Sequence, residues 1–201
     1  MIKSISSLIE KSLKVNSKLD KTLKFTDEEK TYLDKAFKRY EIKKNECVIK
    51  EGEYENYIYF IEIGLFRYWT SNYKGKETTF WFSFSKEFMN SYYSLVNTEP
   101  SKFNIQALTD SIIWKIKKEY ICNTYTNHIN SNKVARMVLE DALVRKIDRE
   151  LSLLIKTPEQ RYLDLINNEK ALLYNVSLKH ISSYLGITPQ ALSRIRKRII
   201  S

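Results

Sequence analysis

The run "HISSYLGITPQALSRIRKRIIS", His180 to Ser201, constrains the fold more than any other part of the chain. A helix-turn-helix needs two short helices locked at a fixed angle, and that requires particular residue types at particular positions. Ser177 is a natural cap for a first helix beginning at Leu178, with Ile181 and Leu185 on its apolar side and the small Ser182 where the helices cross. Gly186 sits at the turn, and Thr188 followed by Pro189 starts the second helix. There Leu192, Ile195 and Ile199 form a buried stripe that Ile187 helps close, so Gln190, Arg194 and Lys197 face the other way, flanked by Ser193 and Arg198.

These outward residue types suit DNA. Arginine bonds guanine through two atoms and glutamine bonds adenine, while Arg196, Lys197 and Arg198 are placed to neutralise phosphates. A merely solvated basic end would complement the helix dipole equally well. It would not explain why caps, small residue, glycine and apolar positions coincide.

Charge points the same way. The chain carries a net +10, and from Lys170 onward there are Lys170, Lys179, Arg194, Arg196, Lys197 and Arg198 but no Asp or Glu, an asymmetry that fits a polyanion. A hydrophobic fraction of 43% over 201 residues is globular composition with enough length for a buried core. The N-terminal "MIKSISSLIEKSLKVNSKLDKTLKF" lacks the unbroken apolar run of a signal peptide or membrane span, so the expected location is cytoplasmic, with no membrane partner. Cys47 and Cys122 are far apart and form no C-x-x-C pair, so no metal site, disulfide framework or cofactor is expected.

Upstream, the pattern divides the chain into three parts. Residues 1–130 hold N-terminal helices and a β-roll. One helix begins at a Thr26 cap in "FTDEEKTYLDKAFKRY", with Tyr32, Leu33, Ala36 and Phe37 on one stripe. From about Glu41 to Lys117, runs such as "YIYFIEIG", "LFRYWT", "TTFWFSF" and "SIIWKIK" are short, β-branched and aromatic, separated by turn-like pieces that hold Gly52, Gly64 and Gly75. This predicts an antiparallel roll of about eight short strands.

Residues 131–156 form a long connecting helix, on which Met137, Val144, Ile147, Leu151 and Leu154 make an apolar seam interrupted by Glu140 that either packs on the chain's own roll or pairs with its twin in a dimer. Residues 157–201 are small, helical and basic, opening with a Thr157, Pro158 and Gln160 capping box. The fold class is therefore α+β.

A roll of short strands, a long helix and a C-terminal "ISSYLGITPQALSRIRKRI" together resemble the cyclic-AMP receptor protein superfamily of bacterial transcription regulators, the Crp/Fnr superfamily, from about Leu33 to the end. "KEGEYENYIYFIEIGLFRYW" is similar to that family's turn–strand–Gly–strand segment, and "FNIQALTDSIIWKIKKEYI" to its last strands and the start of the connecting helix. The resemblance implies a homodimer whose two second motif helices enter successive major grooves about 34 Å apart. By position, Gln190, Ser193 and Arg194 would read bases, and Thr188 and Lys197 would lie near phosphates. Double-stranded DNA, a second copy of the chain and RNA polymerase are the implied partners, with any small-molecule effector unidentified.

Two departures follow. Family members that bind a cyclic nucleotide use Gly-Glu-Leu and then Arg-Ser/Thr-Ala, whereas Asn90 and Ser91 stand at the first place and Lys102, Phe103 and Asn104 near the second. The ribose loses its carboxylate acceptor and the phosphate its bidentate arginine, so the expectation is a regulator independent of cyclic AMP. The alternative is a sensor whose ligand in the roll gates DNA binding, with Tyr92, Tyr93, Lys102 and Asn104 as pocket residues, although aromatic side chains in a roll are more often core. The family's β-wing after the second motif helix has no counterpart before Ser201, which shifts phosphate binding onto Arg196, Lys197 and Arg198.

An enzyme on a metal-binding roll would need clustered histidines. The two present, His128 and His180, are expected at an exposed helix start and on the first motif helix. A membrane-binding basic helix would need a broad exposed apolar face, which the motif's own core consumes.

Overall fold

The computed structural model describes residues 4–15 and 22–200. Two helices, α1 (Ile5–Val15) and α2 (Asp27–Ala36), precede eight strands: β1 (Lys38–Ile42), β2 (Cys47–Ile49), β3 (Tyr57–Ile63), β4 (Leu65–Ser71), β5 (Glu77–Phe84), β6 (Phe88–Met89), β7 (Asn104–Ala107) and β8 (Ser111–Lys117), with the short helix α3 (Tyr92–Asn97) between β6 and β7. The strands form two four-stranded antiparallel sheets, ordered β1-β8-β3-β6 and β2-β7-β4-β5. Ile49, Tyr59, Ile61, Phe66, Tyr68, Met89, Ile105, Ala107 and Ile113 fill the space between them. The aromatic and β-branched runs thus become strands because alternate residues have an inner face to fill.

Gly64 joins β3 to β4 at φ 145°, and a Cβ there would lie 2.3 Å from Ser111 Oγ. Only glycine combines that backbone angle with so close an approach.

The roll is capped by α1 and α2. Ile5, Leu8, Ile9 and Leu13 of α1 meet Leu33 and Ala36 of α2, and Phe37 just after it, on the same core as Phe60, Trp114 and Ile116. Thr26 caps α2 in a full capping box with Glu29. Glu29, 3% exposed, also accepts from the Asn130 and Ser131 backbone N–H groups at 2.8 and 3.1 Å. One carboxylate therefore caps two helices.

Two helices leave the roll: α4 (Lys118–Asn127) and the long α5 (Ile129–Ile155). His128, expected at an exposed helix start, is instead buried at the junction, its ring 4.5 Å from that of Tyr32. The reason is that Tyr32 of α2 packs over the junction, its hydroxyl donating to Tyr120 O of α4, which closes the helix start from solvent.

Four helices complete the described chain: α6 (Pro158–Asn168), α7 (Lys170–Asn175), α8 (Leu178–Tyr184) and α9 (Pro189–Ile200). The Thr157 capping box with Gln160 and Pro158 at the first helical turn is present as read from the sequence. The whole is α+β: antiparallel sheets, a long helix and C-terminal helices.

Candidate nucleic-acid interface

The geometry of α8 and α9 follows from its small set of special residues. Ser177 Oγ accepts the His180 N–H at 3.3 Å and Thr188 Oγ1 accepts the Ala191 N–H at 3.2 Å, so each helix start is capped by a side chain. Gly186 turns the chain at φ 71°, and the Ile187 N–H donates to Ser182 O at 3.0 Å. Ser182 is buried at the crossing, where a larger side chain would push the helices apart. Ile181, Leu185, Leu192 and Ile195 are buried together with Tyr162, Leu165, Leu172 and Val176.

Packing of Leu192 and Ile195 leaves Gln190, Ser193, Arg194 and Lys197 exposed on the opposite face of α9. No acid shares that helix. Arg196 is half-buried, and Arg198 reaches back to Glu159 of α6 at 3.0 Å. Thr188 and Arg198 thus both make contacts within the chain; the Thr188 cap follows from spacing, whereas the Arg198 pairing with Glu159 does not.

This helical unit is docked on the roll. Leu65, Phe82 and Leu108 of the roll belong to the same buried cluster as Leu192 and Ile195, and Phe82 meets Tyr184 edge-on at 5.0 Å. β5 is an edge strand, and the Thr79 N–H on its outer side donates to Ser183 Oγ at 2.8 Å. Arg67 of β4, 4% exposed, donates to Gln106 Oε1 at 2.8 Å and to Glu77 Oε2 at 2.8 Å, and its Nη1 lies 2.9 Å from His180 Nδ1. From the other side, Arg149 of α5 donates to Phe80 O and Tyr184 O, and Arg161 of α6 to Leu185 O. Two guanidinium groups therefore satisfy the C-terminal carbonyls of α8.

These arginines escaped sequence reading. Arg67 carried a signal, a lone charge inside the strand run "LFRYWT"; Arg149 looked like any other cation on a helix.

On α5, Val144, Ile147, Leu151 and Leu154 are all exposed, together with Leu143, while Met137 packs against the core under α1 and α2. Those apolar side chains lie in one stripe along the last three turns of the helix.

The roll residues expected to line a pocket do not converge. Tyr92 and Tyr93 face a cavity of about 1010 Å³ between the roll and α5, but Lys102 and Asn104 do not line it. Lys102 lies over the Tyr93 ring at 4.0 Å, Tyr93 donates to Glu99, and Asn104 accepts from the Glu51 N–H at 3.1 Å. Tyr68, Phe80 and Phe103 pack ring to ring in the wall of this cavity.

Around Ser91 the polar groups are already paired. Ser91 Oγ is 2.8 Å from Ser101 Oγ, and the Ser91 N–H donates to Glu55 Oε2 at 3.2 Å. Glu55 is 3% exposed and also accepts from the Tyr57 N–H and the Tyr59 hydroxyl. Burial pushes its carboxyl up, against the lowering effect of those donors. Among the described residues, no group of three or more His, Cys, Asp or Glu is placed to hold a metal ion, and no helix is long and apolar enough to cross a membrane.

A roll of this topology followed by a long helix and a helix-turn-helix defines a class, and residues 39–128 match the family described as the cyclic nucleotide-binding domain. The chain as a whole has the fold of Crp/Fnr regulators, as its sequence resemblance implied. It is similar to FixK2 from Bradyrhizobium japonicum, with 19% identity, 81% of this chain and 84% of that one covered, and a TM-score of 0.69. A crp/fnr-family transcriptional regulator from Eubacterium rectale superposes with a TM-score of 0.70 at 13% identity, covering 86% of this chain and 82% of that one. The c-di-GMP-responsive global regulator CLP from Xanthomonas campestris gives 0.66 at 13% identity, covering 82% and 87%. At these identities the likeness establishes the fold. No curated protein matches the sequence.

Proposed function

We propose that the chain is a homodimeric, sequence-specific DNA-binding transcription regulator of the Crp/Fnr type that acts without cyclic AMP. The observation that carries this reading is α9: a well-capped helix whose buried face is committed to the motif core and whose exposed face carries Gln190, Ser193, Arg194 and Lys197 with no acid. Gln190, Ser193 and Arg194 read base edges; Lys197 and Arg196 neutralise phosphates, joined by Thr188 and by Arg198 once it exchanges Glu159 for DNA. The exposed α5 stripe of Val144, Ile147, Leu151 and Leu154 meets its copy in the dimer, which sets the spacing of the two α9 helices. In this division residues 1–130 are an effector-like unit, 131–156 the dimer helix and 157–201 the DNA-binding unit.

Independence from cyclic AMP is supported by Ser91, whose backbone N–H is bonded to Glu55 and whose hydroxyl is bonded to Ser101, so that both of its donors are already engaged. The cavity of about 1010 Å³ beside Tyr92 and Tyr93 favours a second reading, in which a small molecule held there gates DNA binding.

Duplex titration tests the main reading. Arg194→Ala lowers affinity for a specific site by about 1–3 kcal/mol while leaving non-specific affinity within roughly threefold. Equal losses on both duplexes would remove its base-reading role, and no duplex binding by the wild-type chain would overturn the reading.

A further inference from the structure

The helix-turn-helix unit touches the roll through one contact whose chemistry depends on a proton. Arg67 is an obligate donor, and its Nη1 lies 2.9 Å from His180 Nδ1, so Nδ1 must be the acceptor and the ring must be neutral with its proton on Nε2. Arg67 has nowhere else to go. It is 4% exposed, held by Gln106 and Glu77 on two neighbouring strands and lying over the Trp69 ring at 4.8 Å. Protonating His180 removes the acceptor and sets two cations against each other in a partly desolvated contact.

We propose that neutral His180 is a proton-sensitive latch: it holds α8 on β4 and β5, and protonation of its ring releases the helix-turn-helix unit from the roll. The charged groups facing His180 are Arg67 from β4, Glu77 from β5 and Lys179 from its own helix. Glu77 alone favours the charged ring, and it is already committed to Arg67 at 2.8 Å.

Burial first, and the Arg67 charge second, hold the docked His180 down to about 4, against an ordinary value of 6.5. A histidine with a depressed value in the docked state stabilises docking above its ordinary value, and that stabilisation is lost as pH falls toward the docked value. Between pH 7.5 and 5.5 the docked-to-released ratio drops roughly tenfold through this group. Glu169 works in the opposite sense, because burial and the neighbouring Glu87 push it up to about 7 when docked. The His180 contribution must therefore be read against a variant in which only that residue no longer titrates.

His180→Asn is that variant, since an Asn Oδ1 takes the place of Nδ1 as acceptor for Arg67. The reporter is the Thr79 amide, which points off the sheet edge and donates to Ser183 Oγ. Amide hydrogen exchange on the intact chain, corrected for intrinsic rate, gives the release equilibrium without DNA. Lowering the pH from 7.5 to 5.5 should raise Thr79 exchange in the wild type about tenfold relative to H180N. The same pH profile in both proteins would overturn the latch.

A second measurement stands if H180N does not fold. With two histidines in the chain, imidazole nitrogen shifts assign His180 directly. The latch predicts a neutral ring with an unprotonated Nδ1 at pH 6.5; a doubly protonated ring there would contradict it. The consequence for DNA rests on the regulator reading, and because neither readout contains DNA, failure of one does not masquerade as failure of the other.

Discussion

Arg149 lies over the Tyr184 ring, its guanidinium carbon 3.8 Å from the centroid, and donates to the Tyr184 carbonyl at 2.6 Å. The same guanidinium donates to Phe80 O of β5 at 2.9 Å. One side chain of the long helix therefore joins the roll to the end of the first motif helix. Arg149→Ala should cost about 2–4 kcal/mol, because two charge-assisted hydrogen bonds and a stacked ring are lost together. Arg149→Lys, which keeps the charge but not the planar fork, should recover less than half of that. Calorimetry checks both, and the alanine variant should separate the single transition into two as the helical unit uncouples from the roll.

Glu29 offers a pH prediction of definite sign. Burial would raise its carboxyl, but the donors from Thr26, Asn130 and Ser131 outweigh burial and hold it below the ordinary value of 4.5. A carboxylate lowered in the folded state stabilises above its unfolded value, and the contribution is lost as pH falls through the folded value. Stability measured by denaturant unfolding should therefore fall below about pH 4.5 in the wild type. Glu29→Gln should be less stable by about 1–2 kcal/mol at pH 7 and lack most of that acid step.

The long helix displays Val144 and Leu151 to solvent. Placing Glu at both positions should leave the monomer fold intact, since neither side chain is buried within one chain, and should convert the proposed dimer to monomer in sedimentation velocity. A wild-type chain that sediments as a monomer at micromolar concentration would remove this seam from the account.

Cyclic AMP should leave the melting temperature unchanged, because the Ser91 backbone N–H is already bound to Glu55 and the Ser91 hydroxyl to Ser101. A saturable rise on titration would mean that the region rearranges to take the nucleotide.

Much of this molecule was legible because local rules and tertiary packing agree. The strand runs became eight strands because their alternation had two sheets to fill, and Thr26, Thr157, Ser177 and Thr188 cap helices because their side chains act within three residues. The exposed face of α9 followed from helical geometry once its apolar stripe was known. Long-range pairing was not legible. Nothing local tells Glu29 that Asn130 will present its N–H, or Arg67 that His180 lies across a domain contact, since each pair is separated by about a hundred residues. His128 misled for the same reason: a helix-start histidine is exposed unless another helix covers it, and α2 does. The pocket residues near Lys102 and Asn104 illustrate the limit from another direction, because matching positions along a strand does not say which face closes the cavity.

The most direct test of the central claim is selection of binding sites from random duplex DNA by the purified, effector-free chain at near-physiological salt. A homodimeric regulator should select an inverted repeat with half-sites about one helical turn, roughly 34 Å, apart, and lose that selectivity when Arg194 is replaced by Ala. Recovery of only sequence-blind, salt-sensitive binding would contradict it.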